Sequence, residues 1–204
     1  DVIRKRLKRL VKKIEKRLKR ETKSRVFVDS GPILERDYAQ TAGLGWIGKN
    51  TNLINWQKGS WYFLAEILIS LDLGADVLPA RGSCGSCTLC IEACPTDAIV
   101  APNQVDARSC ISYLTVELKE AIPMDLRPGL GNLIFGCDIC QEVCPWNISF
   151  SQASDDTYFK PRADNENRLT SGRPCQIISS PSGITLSTSF GGDFFVLYIH
   201  FTLL

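Results

Sequence analysis

Eight of the nine cysteines have types of neighbours and spacings that suit metal ligands rather than disulfides. Cys84, Cys87 and Cys90 are each two residues apart, and Cys94 follows after three more, capped by Pro95. This is the bacterial ferredoxin run, in which the fourth cysteine serves the neighbouring cluster. A second group, Cys137, Cys140 and Cys144 with Pro145, repeats the end of that run, and Cys110 stands between the two. Three cysteines two apart can place their sulfurs at successive corners of one cube, whereas the fourth, displaced by a turn and stopped by proline, faces away. The expected ligand sets are therefore crossed: Cys84, Cys87, Cys90 and Cys144 for one 4Fe-4S cluster, and Cys94, Cys110, Cys137 and Cys140 for the other. Zinc is the rival, since CxxC is also a zinc motif. Zinc, however, has no use for a crossed arrangement that brings two centres close. With two clusters and a single histidine in the chain, such a module conducts electrons rather than performing acid-base chemistry.

Something else must hold a substrate, and the rest of the 204 residues is long enough for a core domain beside the metal module. The expected division is 1–78 for a basic helix and a core domain, 79–147 for a ferredoxin-like two-cluster domain, and 148–204 for a tail. Bunched cysteines point to a reduced, cytoplasmic setting. No run of eighteen apolar residues is present, so no membrane span is expected. The basic, Lys-rich start lacks the features of a presequence and fits a chain cut from a longer protein. The net charge of +2 conceals an asymmetry: residues 1–20 hold eleven Lys or Arg against Asp1 and Glu15, a local +9, which leaves −7 for the remainder. Ile3, Leu7, Leu10, Ile14 and Leu18 recur at alternating steps of four and three, predicting an amphipathic helix. Its basic face is either a solvated surface or a track for a phosphate backbone.

Arg25 to Val28 predicts a short strand that enters the turn Asp29-Ser30-Gly31-Pro32, with helix resuming from Leu34 to Thr41. Gly43 to Asn50 fits GxGxxG and GxxxxGK only on paper. It does not follow directly on a strand, and Asn50 stands where Ser or Thr should hold magnesium. What remains is that glycines let backbone N–H groups approach a large ligand closely. Leu53-Ile54 predicts a core strand and the apolar run Trp61 to Leu71 a core helix. In the tail, Phe194 to Ile199 predicts an edge strand; Cys175 is expected to be a free thiol and His200 an incidental residue. Asp29, read on its own, serves as a turn or helix-cap residue.

Taken together, Phe27 to Glu35, Gly43 to Thr51, Cys110 to Glu117, Gly136 to Gln141 and the whole cysteine pattern resemble the epoxyqueuosine reductases. The resemblance runs from about Asp1 to Arg162. It implies an α+β protein in which part of an α/β cobalamin-binding reductase domain precedes the ferredoxin-like module with two 4Fe-4S clusters. It further implies an oxidoreductase that takes the oxygen from epoxyqueuosine in the tRNA anticodon, the final step of queuosine formation. Cobalamin would be the reactive centre and the clusters would reduce it. The family's acid is the aspartate of the Asp-Ser-Gly-Pro turn, here Asp29, a buried carboxyl of raised pKa placed to protonate the leaving oxygen. Asp29, Lys49, Asn50, Ser112, Tyr113 and Asp138, within the resembling strings, are the expected cobalamin contacts. The implied partners are tRNA and an unidentified electron donor, with the protein a monomer. The family also has a further segment before the basic helix, which contributes to the cobalamin site and is not part of this sequence, so the chain alone is expected to bind cobalamin poorly. A reductive dehalogenase uses the same two cofactor types, but the basic helix favours tRNA. A plain ferredoxin-type carrier would have no use for residues 25–75.

Overall fold

The computed structural model describes residues 2–29, 31–74, 81–152, 154, 156–159 and, as backbone, 186–191 and 194–202. The chain opens on helix α1 (Val2–Leu18), then strand β1 (Ser24–Phe27) and helix α2 (Glu35–Thr41), as the apolar spacing predicts. Two short strands, β2 (Trp46–Ile47) and β3 (Leu53–Ile54), pair antiparallel around the glycine-rich loop. Strand β4 (Tyr62–Ile69) follows.

The apolar stripe of α1 is displaced from the one read off the sequence. Ile3, Leu7 and Val11 are buried and Leu10 and Ile14 pack partly against the same core, but Leu18 is exposed. A seven-residue repeat drifts around a straight helix of 3.6 residues per turn, so the stripe leaves the core before its last member. The exposed face of the helix is Lys and Arg, and Lys16 and Arg17 in its last turn complement the negative end of the helix dipole. Only Arg6 on this helix is described with an acidic partner: it pairs with Asp156 at 2.5 Å and lies over the Tyr158 ring at 5.6 Å.

Trp61 to Leu71 is not a helix. Residues Tyr62–Ile69 form an eight-residue strand that pairs antiparallel with β1, Ser24 opposite Ile69 and Phe27 opposite Glu66. Its pleat explains why no alternation shows in the sequence. Ala65, Ile67 and Ile69 pack under α1, while Tyr62, Leu64 and Leu68 pack toward Ala39 and Ala42 of α2 and toward Leu44 and Leu53. A strand covered on both faces reads as a continuous apolar run, and period alone cannot separate it from a buried helix.

The cluster region is built of short pieces: α3 (Leu89–Glu92), the hairpin β5 (Ile99–Ala101) and β6 (Gln104–Val105), α4 (Ile111–Val116), α5 (Arg127–Leu130), α6 (Ile139–Glu142) and α7 (Pro145–Phe150). A 3-10 turn, η1 (Thr157–Phe159), precedes strands β7 (Leu186–Gly191) and β8 (Phe194–Thr202). The largest sheet has the order β1-β4-β8-β7, with every described pair antiparallel. The fold is thus a mixture of helix and strand, as expected. Phe194 to Ile199, however, lies inside the sheet between β4 and β7 rather than at its edge. His200 is on β8 opposite Leu64, while Cys175 and the Arg162 limit lie outside the described residues. No helix among the described residues is long and apolar enough to cross a membrane.

One polar side chain breaks the apolar run. Glu66 is fully buried, and the pleat turns it to the α2 side of the sheet, where Glu35 begins that helix. Neither Glu66 oxygen has a hydrogen-bond donor among the described residues when both carboxyls are ionised. A proton on Glu66 resolves this by donating to Glu35; burial first, and then the Glu35 charge, raises the Glu66 pKa to about 8. A carboxyl whose folded pKa lies above its unfolded value binds a proton more tightly when native. Its stabilising effect is therefore complete at acid pH and is lost as pH rises through about 8. Glu66→Gln should remove that loss, leaving stability at pH 9 higher than wild type by on the order of a few kcal/mol. Denaturant midpoints from pH 5 to pH 9 check it; parallel curves for the two proteins would refute it.

Candidate metal centre

The two cysteine groups fold as a structural repeat. In the first, the N–H groups of Ile91 and Glu92 bond the Thr88 carbonyl, Ala93 bonds Leu89 and Cys94 bonds Ile91. In the second, Gln141 and Glu142 bond Asp138, Val143 bonds Ile139 and Cys144 bonds Gln141. Each single-turn helix ends at a cysteine followed by proline, which cannot supply the next N–H and so stops the turn. Cys110 and Cys144 open α4 and α7 in almost the same extended conformation, φ −71° with ψ 120° and 121° respectively.

The eight thiols separate into two electrostatic groups. Cys90 interacts with Cys84, Cys144 and Cys87, and Cys144 with Cys84 and Cys87. Cys137 interacts with Cys110 and Cys94, and Cys140 most with Cys137, next with Cys90 across the divide, and then with Cys110 and Cys94. Burial is the first cause raising the thiol pKa of Cys90, Cys137 and Cys144, and it takes Cys140 to about 12. Buried thiols of this kind become thiolates when metal replaces the proton. Among the described residues no three Cys, His, Asp or Glu side chains converge as ligands of one metal ion. The donor set of each quartet suits a cube, which takes one thiolate at each of four irons.

The glycine-rich loop braces both quartets. Lys49 donates its main-chain N–H to Cys84 Sγ at 3.4 Å and its Nζ to the carbonyls of Gly85 at 2.9 Å and Cys87 at 2.8 Å. Buried Asn50 donates to the Cys140 carbonyl at 3.2 Å. Asn103, next to the β5–β6 hairpin, holds the loop from behind through the carbonyls of Ile47 (2.9 Å) and Gly48 (2.8 Å). The glycines of this loop give room to the chain itself: a Cβ on Gly45 would lie 2.1 Å from the Ile54 carbonyl oxygen.

A second brace has no sequence signal. Buried Asn147 accepts the Ser60 N–H at 2.6 Å and donates to Ser60 Oγ at 2.9 Å and to the Gln141 carbonyl at 2.8 Å. It thereby joins the turn before β4 to the second cysteine repeat. Gly59, at φ +71°, is the position that admits Asn147, since a Cβ there would meet its Oδ1 at 2.2 Å. Nothing in the local sequence marks Asn147 for this role, because Ser60 is 87 residues away.

An open space of about 510 Å³ is walled by Cys84, Cys87, Cys90 and Cys144 together with Lys49, Asn50, Trp146 and Phe150, so it includes the volume that a cluster on those four thiols would fill. Trp146 packs edge-on to Trp46 at 4.9 Å and stacks on Phe150 at 5.6 Å. Lys49 and Asn50 thus meet at the cavity, whereas Asp29, Ser112, Tyr113 and Asp138 are not among its walls. Ser112 and Tyr113 lie on α4 directly after Cys110, with Tyr113 exposed, and Asp138 precedes α6, where burial followed by the Glu142 charge raises its pKa.

Asp29 departs from the expected buried carboxyl. It is exposed, in the left-handed region at φ 49°, and its N–H donates to Glu35 Oε1 at 2.9 Å. The turn after β1 places it at the rim of the sheet, where no described element covers it.

Residues 83–147 match the family model of the 4Fe-4S double cluster binding domain. The chain is 57% identical over 140 residues to an epoxyqueuosine reductase of Xanthomonas campestris pv. campestris, covering 69% of this chain and 39% of that protein. A crystal structure of epoxyqueuosine reductase with a tRNA-Tyr epoxyqueuosine-modified tRNA stem loop superposes with a TM-score of 0.65 at 36% identity, covering 73% of this chain and 40% of that one. The Bacillus subtilis enzyme, solved with its catalytic aspartate loop swung out of the active site, gives 0.62 at 36% identity over the same shares. The chain therefore spans about two fifths of the length of these relatives. Over the region it shares with them, with its double-cluster domain inside that region, the chain belongs to the epoxyqueuosine reductase family.

Proposed function

We propose that this chain forms the electron-delivering part of a cytoplasmic, monomeric reductase that converts epoxyqueuosine to queuosine in the tRNA anticodon, using cobalamin and two 4Fe-4S clusters. The observation that carries this reading is the pairing of a double-cluster domain with high identity to epoxyqueuosine reductases outside as well as inside that domain. A plain electron carrier would share only the cluster region, and the relatives' names favour this reaction over reductive dehalogenation.

The thiols of Cys84, Cys87, Cys90 and Cys144 hold the first cluster and those of Cys94, Cys110, Cys137 and Cys140 the second. The electrostatic grouping of the eight sulfurs supports this division. Cobalamin, when bound, supplies the reactive centre. The open side of the space at the first quartet, beyond the part a cluster would fill, has an aromatic wall and a few polar groups, as a cofactor-binding surface does, and Lys49 and Asn50 stand in its lining. Asp29, Ser112, Tyr113 and Asp138 complete the proposed contacts from outside that cavity. Asp29 holds the proton that the departing epoxide oxygen takes up. Its exposed, left-handed turn leaves the carboxyl accessible to substrate, and the Glu35 hydrogen bond to its N–H fixes one end of the turn. The uncovered Lys and Arg face of α1 suits the phosphates of a tRNA stem.

Anaerobic reconstitution of the chain should load about eight irons. Cys144→Ala should damage the cluster on Cys84, Cys87 and Cys90, not the one built on its sequence neighbours Cys137 and Cys140. Paramagnetic resonance of the reduced variant reads which signal is lost; loss of the other would reverse the assignment, and stoichiometric zinc without iron would remove it.

In an active enzyme of full family length, Asp29→Asn should keep iron and cobalamin content, because the side chain is isosteric. Single-turnover reduction with pre-reduced cofactor should slow by about 10² to 10⁴, the usual cost of removing a general acid. A near-normal rate would leave Asp29 as a turn residue only.

A further inference from the structure

Lys49 does not merely line the cavity: its ammonium is committed to the backbone of the first cysteine loop, on the carbonyls of Gly85 and Cys87. A cube held by four thiolates carries net negative charge and gains another on reduction, so nearby charge and hydrogen bonds to its sulfurs set the potential. Hydrogen bonds to sulfur are more numerous in the first quartet. There Cys84 accepts from Lys49 N–H at 3.4 Å, Cys90 from its own backbone and Cys144 from the backbone of Asn147 and Trp146; in the second, Cys94 accepts from Ala98 N–H at 3.3 Å and Cys137 from the backbone of Ile139. Charge differs in the same direction. The fixed cation touches only the first quartet's loop, while the charge of Asp138 acts on Cys137 in the second. The neighbouring loop residue, Asn50, reaches the second quartet with a neutral amide on the Cys140 carbonyl.

We propose that Lys49 is a positioning and charge-tuning residue that makes the first-quartet cluster the higher in potential of the two, so that an electron entering the module comes to rest beside the open cavity. The inference rests on the cluster assignment proposed above. In the step concerned, the reduced second cluster loses one electron and the oxidised first cluster gains it. No bond is made or broken and no proton moves. The electron reaches the second cluster from an external one-electron reductant, which in the test is dithionite.

The experiment is a potentiometric titration of the reconstituted 204-residue chain, followed by paramagnetic resonance. Two reduction steps are expected. Cys110→Ala, which strips a ligand from the second quartet, should leave a cluster that titrates at the upper potential; a survivor at the lower potential overturns the proposal. Lys49→Met, which keeps the length of the side chain without its charge, should move the upper potential down and leave the lower in place, and Lys49→Arg should keep the upper where it is. A shift of both potentials, or of neither, in Lys49→Met also overturns it. If Lys49→Met sheds iron, the Cys110→Ala order and the Lys49→Arg titration still decide. Wild-type iron far below about eight atoms per chain counts against the cluster assignment itself, not against the role of Lys49.

Discussion

The relative placement of the two thiol quartets depends on one stretch of backbone, the turn from Trp46 to Asn50. A cluster can be bound by short loops with little core of their own only if something else fixes where those loops stand. Lys49 takes the first loop by two carbonyls and one sulfur, and Asn50 takes the second by the Cys140 carbonyl. The turn is in turn fixed by the β2–β3 pair and by Asn103. The cysteine region thus takes its alignment from the domain that precedes it. Several of these hydrogen bonds are partly buried, so displacement would leave polar groups poorly paired.

A second link joins Asn147 with Ser60 and Gln141. Between the two links lie Trp46 and Trp146, packed edge to face. Trp46 Nε1 is buried there without an acceptor among the described residues. That cost is one a tightly packed seam tolerates when the ring's apolar area is large.

On the far side of the sheet the constraints differ. Strand β4 is covered by α1 on one face and approached by α2 on the other, and the one charged side chain inside it, Glu66, is linked through Glu35 to the Asp29 turn. A buried carboxyl pair tolerates one proton or one ion partner better than two negative charges. The protonation of this pair therefore bears on how firmly Glu35 holds the Asp29 N–H. The basic face of α1 stays in solvent because only Ile3, Leu7 and Val11 are needed to close the core beneath it.

Cysteine spacing by itself pointed to the double-cluster domain that residues 83–147 match, because the steps between ligands are covalent distances along short turns and leave little freedom. Helix α1 was legible because it buries one side, so its period appears in the sequence. Strand β4 was misread as helix because burial on both faces erases the alternation, and Phe194 to Ile199 was placed at an edge because the order of strands is a matter of long-range pairing. The tertiary structure alone decided that Lys49 and Asn50 reach the cysteine loops, that Asn147 meets Ser60 and that Asp29 is exposed. Each depends on partners or cover from elsewhere in the chain, such as the 87 residues between Ser60 and Asn147, over which no local pattern carries information.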